Sequence, residues 1–406
     1  MAENSYTYIL VGGGMASASA IQGIRQYDGN GSILLIGNEE YLPYNRPPLT
    51  KGLWFGKKQL DDIYAHQNGF YAANHVDTAL NTDVVRIFPD RHEILDSHGK
   101  TYQYTRLLLA TGGTPRKLDI PGGTSNGICY YRYLDDYRTI RDAAKPNTTA
   151  IVIGGSFIGS EIAAALCHNQ VKVTMVFPDD YLVSRVFPES LGKALQSMYQ
   201  QRGITILNND VPVSFNKEND RFLAATRSGQ QLAADMLIVG VGITPNIQLA
   251  HDAGLATSNG IDVNEFLQTS NSDIFAAGDN AHFPYLALGQ DMRVEHWDNA
   301  VNQGLFAGRN MAGAQQQYAY MPYFFSDLFE FGYEAVGDVS TKLQTFADWQ
   351  KENDTGVIYY LQDGKVRGAM MCNVWNQVNA ARELIKSGQQ WTPDQLRGKI
   401  GQQKAA

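Results

Sequence analysis

The residues best suited to chemistry sit in two glycine-rich turns. In GGGMAS, at positions 12–17, Gly12, Gly14 and Ser17 occupy the pattern G-x-G-x-x-G, with Ser17 as a small-residue substitute for the third glycine. Such a turn passes a strand into a helix whose first N–H groups lack intrahelical partners, and these groups together with the helix dipole attract a pyrophosphate. The segment therefore reads as a dinucleotide-binding turn. Glu39, about 20 residues beyond Ser17, is placed to accept a hydrogen bond from an adenosine ribose hydroxyl. The pattern recurs as GGSFIG at 154–159, holding Gly154, Ser156, Phe157, Ile158 and Gly159, and Asp179 follows at a similar interval. An acid there accepts from a free 2′-hydroxyl and repels a 2′-phosphate, so NADH is expected over NADPH, with Arg185 nearby as an opposing charge. Ser156 stands where the middle glycine usually lets backbone approach the phosphates. Its side chain either hydrogen-bonds a phosphate or crowds it, and altered nicotinamide binding is expected.

Strands and helices of the right period flank both turns. Residues 6–11 form an apolar, partly β-branched run, and Ala16, Ala20 and Ile24 then line one helical face, with the small Ser17 and Ala20 allowing close approach to the strand. A second strand is expected at 32–36. The second unit repeats this with a strand at 150–153, an apolar helical stripe of Ile158, Ile162 and Leu166, and a strand at 171–177. Strand-end glycine turns follow at Ala110, Thr111 and Gly112, at Gly242, and at Gly278 and Asp279. Between the first two glycine motifs lies an aromatic loop at 41–56, where Pro43, Pro47 and Pro48 exclude a regular helix before Leu49. It carries Arg46 and Lys51, cations within a few residues of the presumed phosphate and ring. A helix within 293–313 has Val301, Leu305 and Gly308 at three- to four-residue spacing. Toward the C-terminus, 356–372 reads as a hairpin about Asp363-Gly364, and 379–386 as a helix stopped by Gly388. Trp375 and Trp391 are expected in a core.

Composition narrows the classes. A chain of 406 residues holds two or three domains, and a net charge of -8 argues against nucleic acid or an anionic membrane as a partner. No apolar run approaches the length of a membrane span and no basic presequence is visible, so a cytoplasmic protein is expected. Cys129, Cys167 and Cys372 are scattered without metal-binding or C-x-x-C spacing, which leaves no metal site and suggests reduced, buried, structural thiols.

Three segments, RPPLTKGLW, ATGGTPR and EHWDNA, resemble flavoprotein reductases with two dinucleotide folds, most closely the apoptosis-inducing-factor family and its bacterial relatives. The resemblance covers nearly the whole chain. It implies an α/β fold with two Rossmann-like domains, the NAD domain (123–247) inserted in a discontinuous FAD domain (1–122 and 248–317), followed by a C-terminal α+β domain (318–406). FAD would be held by Gly12, Gly14, Ser17, Glu39, Ala110, Thr111, Gly112, Arg116, Gly278, Asp279 on the ribitol chain, Glu295 and His296, with Arg46 at the pyrophosphate and Lys51 near N(5). NADH would be held by Gly154, Ser156, Phe157, Ile158, Gly159, Glu161, Asp179 and Gly242. The resemblance makes Lys51, Glu161, Phe157 and His296 the catalytic set: Glu161 pairs with Lys51, Phe157 covers the ring until NADH displaces it, and His296 lies beside the flavin. It also aims the N-terminus of the helix after His296 at the flavin pyrimidine. Trp297 stands where the family usually has a second histidine, and Phe325 where animal relatives have tryptophan.

Disulfide reductases of this architecture carry reactive cysteines on the helix beginning near position 45, and this chain has none there. Electrons are then expected to leave the flavin directly, to a redox protein, a quinone or oxygen. Three functions fit: an NADH oxidoreductase of the apoptosis-inducing-factor type with a long-lived complex of reduced flavin and NAD, a ferredoxin or rubredoxin reductase, and an NADH-sensing scaffold that changes its dimer state. A homodimer is also expected.

Overall fold

The computed structural model describes residues 4–67 and 69–401, so the outermost ends of the expected first and last domains, 1–3 and 402–406, lie outside the described residues. The chain divides into two compact units. One comprises Met1–Asn45, Leu60–Thr114 and Thr244–Pro322, and the other Arg46–Gln59, Pro115–Ile243 and Tyr323–Ala406.

The first unit is built on a seven-stranded sheet. Strands Val76–Ala79, Ile33–Ile36, Ser5–Val11, Thr101–Leu109 and Ile274–Ala276 are paired in parallel, and Glu93–Asp96 and Val84–Phe88 extend the sheet antiparallel. Ile9, Leu10, Ile33, Leu35, Leu107, Leu108 and Leu109 are fully buried, as continuous apolar runs in a sheet covered on both faces must be. Helix Met15–Arg25 follows the first strand and crosses helix Trp297–Met311 at backbone contact. A Cβ on Gly304 would run into the Ala16 carbonyl, one on Gly308 into that of Ala20, and one on Gly23 into that of Leu305. Of the row Val301, Leu305 and Gly308, only Gly308 lies at the crossing. Val301 and Leu305 are only half-buried, while Gln303, Gly304, Ala307 and Gly308 form the covered line. Branched side chains flank the crossing because backbones this close leave them no room.

The second unit has its own parallel sheet, in the order Thr205–Leu207, Lys172–Val176, Thr149–Ile153, Met236–Val239 and Cys129–Tyr130. Both expected Rossmann-like sheets are thus present. An antiparallel meander of Pro212–Glu218, Arg221–Thr226 and Gln231–Ala234 was not foreseen. It packs Phe215, Phe222 and Ala224 into one core with Ile151, Ile153 and Leu237. Its first turn uses Asn219 and Asp220, both at positive φ, which Asn and Asp tolerate better than most residues. The C-terminal part is a five-stranded antiparallel sheet, Tyr323–Leu328, Phe331–Gly337, Lys365–Cys372, Thr355–Gln362 and Gln344–Lys351, with helix Val378–Lys386 against it. The hairpin turns at Asp363 and Gly364, as expected.

Two side-chain expectations change. Trp375 is 46% exposed rather than in the core, because one part of its ring lies over the Gly332 backbone while the rest meets solvent. Cys167 is half-exposed, whereas Cys129 and Cys372 are buried and burial pushes both of their thiols up. Among the described residues no helix is long and apolar enough to cross a membrane, and no cluster of His, Cys, Asp and Glu could hold a metal ion.

Candidate functional site

In the first unit, the turn after strand Ser5–Val11 is shaped by Gly12. Its φ of +123° excludes side chains, and a Cβ there would collide with the Ala110 carbonyl. Gly14 begins helix Met15–Arg25 with no side-chain cap and no acid in the first turn, and nothing lies within 4 Å of where its Cβ would be. Buried Ser17 has a hydroxyl without a partner among the described residues. Open space, uncapped N–H groups and an orphaned donor at one helix start are what a pyrophosphate would satisfy, so these residues fit a dinucleotide. Glu39, on the loop after the second strand, accepts a hydrogen bond from the Tyr44 hydroxyl at 2.6 Å.

The strand-end turns of this unit are tied together by side-chain amides that composition and spacing did not reveal. Asn280 donates to the Leu109 carbonyl and to the Thr111 hydroxyl, and Asn246 donates to the Thr111 carbonyl. Asn246 also donates from its backbone to Gly112, and Gln303 accepts from the Gly278 amide at 2.8 Å. Arg293 donates to the Asp279 carbonyl and pairs with exposed Glu295 at 2.5 Å. His296 is the N-cap residue of helix Trp297–Met311 through its backbone, and Trp297 donates to the Asn45 side chain at 2.7 Å.

Desolvation pushes the His296 imidazole down to about 4, with the Asp279 carboxylate pulling weakly the other way. The unfolded chain then binds a proton that the folded one refuses between about pH 6.5 and pH 4. Stability contributed by neutral His296 is therefore complete above about pH 6.5, falls with pH, and is fully lost below about pH 4. Because the residue keeps some solvent exposure, we expect a loss of about 2 kcal/mol by pH 4.5. Urea unfolding at pH 7 and pH 4.5 checks this: His296→Gln should narrow the gap between the two stabilities by that amount, and an unchanged gap contradicts it.

In the second unit the turn after strand Thr149–Ile153 has the same design. Gly154 lies at φ +118° with the Gly240 carbonyl where a Cβ would go, and Gly159 sits against the Gly154 carbonyl. Exposed Ser156 is the N-cap of helix Phe157–His168 but makes no side-chain capping bond. Ile162 and Leu166 are fully buried as expected, but Ile158 is 40% exposed and does not belong to that stripe. It occupies the second helical position beside Gly240, above the turn rather than over the sheet. Asp179 is half-buried and its carbonyl accepts from the Asn209 amide. Arg116 donates from its backbone to Gly242 and from its side chain to the Ile243 carbonyl at 3.0 Å.

The same unit contains the proline loop. A short 3-10 turn at Pro47–Leu49 exposes the Leu49 carbonyl, which accepts from the Trp54 indole and the Tyr131 hydroxyl and so pins the loop. Arg46 places its guanidinium 5.6 Å from the centre of the Tyr133 ring. Lys51 pairs with Glu161 at 2.6 Å, with side chains only 13% and 6% exposed. Two hydroxyls complete the carboxylate's surroundings: Thr50 and Ser326 each donate to it at 2.5 Å. Lys51 also lies 5.6 Å from the Phe325 ring centre, and Phe157 meets Phe324 edge-on at 5.5 Å. Thr50 was within reach of sequence reasoning as the neighbour of Lys51. Ser326, separated from Glu161 by 165 positions, had no signal in spacing.

The chain belongs to the pyridine nucleotide-disulphide oxidoreductase family, which matches residues 6–304. It is an NADH-dependent FAD oxidoreductase, and its cofactors are FAD and NADH. Residues 307–355 match the C-terminal domain of mitochondrion-associated apoptosis-inducing factor. The chain is 32% identical to apoptosis-inducing factor 1, mitochondrial, of Dictyostelium discoideum, over 94% of this chain and 78% of that one. It is 30% identical to putidaredoxin reductase of Pseudomonas putida, over 93% and 91%. Among solved structures, putidaredoxin reductase in its covalent complex with putidaredoxin superposes with a TM-score of 0.90 at 29% identity, over 97% of this chain and 95% of that one.

Proposed function

We propose that the protein oxidises NADH in the manner of the apoptosis-inducing-factor type, holding reduced flavin and NAD together in a long-lived charge-transfer complex. The observation that carries this reading is the buried Lys51–Glu161 pair on the RPPLTKGLW loop, an ion pair whose burial is costly without a chemical use. In this reading the FAD domain spans 1–122 and 248–317, the NAD domain 123–247 and the C-terminal domain 318–406. Bound NADH supplies the hydride and bound FAD accepts it. Gly12, Gly14, Ser17, Glu39, Arg46, Ala110, Thr111, Gly112, Arg116, Gly278, Asp279 and Glu295 hold FAD, and Gly154, Ser156, Ile158, Gly159, Asp179 and Gly242 hold NADH. Lys51 holds an ammonium at the flavin edge, Glu161 orients it, Phe157 excludes water until the nicotinamide arrives, and neutral His296 packs beside the ring. The protein works in the cytoplasm, as a homodimer. A redox protein, a quinone or oxygen takes the electrons.

The likeness to putidaredoxin reductase supports a second reading, an NADH-dependent reductase of a small redox protein. Anaerobic titration with NADH, followed by admission of air, separates the two. A broad long-wavelength band that persists in air is the expected result. Bleaching with fast recovery overturns the long-lived complex in favour of the reductase, and a flavin that NADH does not bleach overturns both.

A further inference from the structure

We infer that Ser326, together with Thr50, is a positioning residue for the Lys51–Glu161 couple: the two hydroxyls lock the Glu161 carboxylate, and the locked carboxylate fixes the lysine ammonium. The inference rests on the reading above that Lys51 acts at the flavin. The geometry is that of a fully gripped anion. Thr50 donates to Oε2, Ser326 donates to Oε1, and the Lys51 ammonium also meets Oε1, all within 2.6 Å. Thr50, Ser326 and Glu161 are 4%, 1% and 5% exposed, so water does not compete for these bonds.

The donors come from separate parts of the second unit. Thr50 and Lys51 are neighbours on the proline loop, Glu161 lies one turn into helix Phe157–His168, and Ser326 lies on strand Tyr323–Leu328. On that strand Ser326 is the inward residue between half-exposed Phe325 and exposed Asp327, and it pairs with Tyr333 on the next strand. The C-terminal sheet therefore delivers a hydroxyl to the couple as well as an aromatic cover. Two further ionisable groups face it. Tyr199 donates to the Ser160 carbonyl at 2.9 Å, and buried Tyr333 has a hydroxyl without a partner among the described residues. Burial raises both phenols well above their ordinary range, with the Glu161 charge adding to it, so both are neutral and Lys51 meets the carboxylate's charge.

A carboxylate held by one ammonium alone can rotate, or take up a proton and release its partner. A hydroxyl on each oxygen opposes both. Removing one hydroxyl leaves a buried oxygen short of a donor and lets the carboxylate turn, which frees Lys51 to move.

The test uses the FAD-loaded full chain with Ser326→Ala, the isosteric Thr50→Val and the hydroxyl-retaining Thr50→Ser. Stopped-flow reduction by NADH is measured without oxygen from about pH 5 to 9. The carboxylate stretching band of Glu161 is followed by infrared spectroscopy over the same range, with Glu161→Gln assigning it. Across that range Ser326→Ala and Thr50→Val should reduce about tenfold more slowly with half-saturating NADH within about twofold, and their Glu161 carboxylate band should move from the parent's position. Thr50→Ser should stay near the parent in both. Parent-like rates and carboxylate bands in Ser326→Ala and Thr50→Val overturn the inference, and Thr50→Val decides alone if Ser326→Ala does not fold. A parent protein that NADH does not reduce defeats the proposed function, while the carboxylate band still reads the grip on Glu161.

Discussion

Glu161→Ala is expected to lower the stability of the folded protein by about 3 kcal/mol and to slow flavin reduction by NADH about a hundredfold. The stability loss follows from what the side chain leaves behind. Lys51 would be a nearly buried ammonium without its counterion, and the Thr50 and Ser326 hydroxyls would lose their acceptor. Breaking a buried pair from one side costs about 3 to 5 kcal/mol. The lower end applies because the Lys51 side chain keeps 13% of its surface exposed. The kinetic loss follows from position, since an ammonium that is free to turn no longer offers a preorganised charge. Urea denaturation and anaerobic stopped-flow measure the two effects. Adding Lys51→Met to Glu161→Ala removes the stranded charge, so the double variant should regain about half of the lost stability while remaining slow. A single variant as stable and as fast as the parent would show that the pair neither supports the loop nor serves the reaction.

Gly304→Ala should be nearly as damaging to stability, although it adds only a methyl group. Its Cβ would enter the Ala16 carbonyl, so two backbones must separate and no side chain can turn aside to relieve the clash. Overpacking of a tight core typically costs about 1 to 3 kcal/mol, and contact against backbone belongs at the upper end. Because Ala16 is on the helix that begins at Gly14, the protein should also lose part of its FAD on purification. Gly14→Ala provides the contrast. Its Cβ meets nothing within 4 Å, so the stability of the FAD-free protein should stay within about 0.5 kcal/mol while flavin content falls. Urea unfolding of the stripped proteins and the flavin-to-protein absorbance ratio separate the two cases. Equal stability of Gly304→Ala and the parent would contradict backbone contact at the helix crossing.

The parts of the fold legible in the sequence are those governed by local geometry. Gly12 and Gly154 announced the two turns because positive φ with a backbone carbonyl behind it leaves no other residue type. Continuous apolar runs such as 6–11 and 150–153 announced strands buried on both faces, and Asp363-Gly364 announced a hairpin whose turn needs two positive φ values. Resemblance added Lys51 and Glu161, which the fold brings to 2.6 Å.

What spacing could not reveal depended on distant chain segments. Val301, Leu305 and Gly308 shared one helical row, but the partner was another helix lined by Ala16 and Ala20, and backbone contact kept Gly308, added Gly304 and left Val301 and Leu305 half-buried. Ile158 obeyed helical periodicity yet faces solvent, because the helix has only just begun at that point and the sheet lies under later turns. Trp375 was apolar enough for a core, but only the fold decides how much of a large ring finds a surface to cover. Ser326 is the clearest case: a serine carries no periodic signal, and only strand pairing to Tyr333 turns its hydroxyl toward a carboxylate 165 positions away. The sequence by itself determined the two glycine turns and the strands that lead into them, since those depend on φ and on apolar continuity within a few residues. The tertiary structure alone decided which donors surround Glu161, because hydrogen bonds between remote segments depend on where the sheets and helices deliver them.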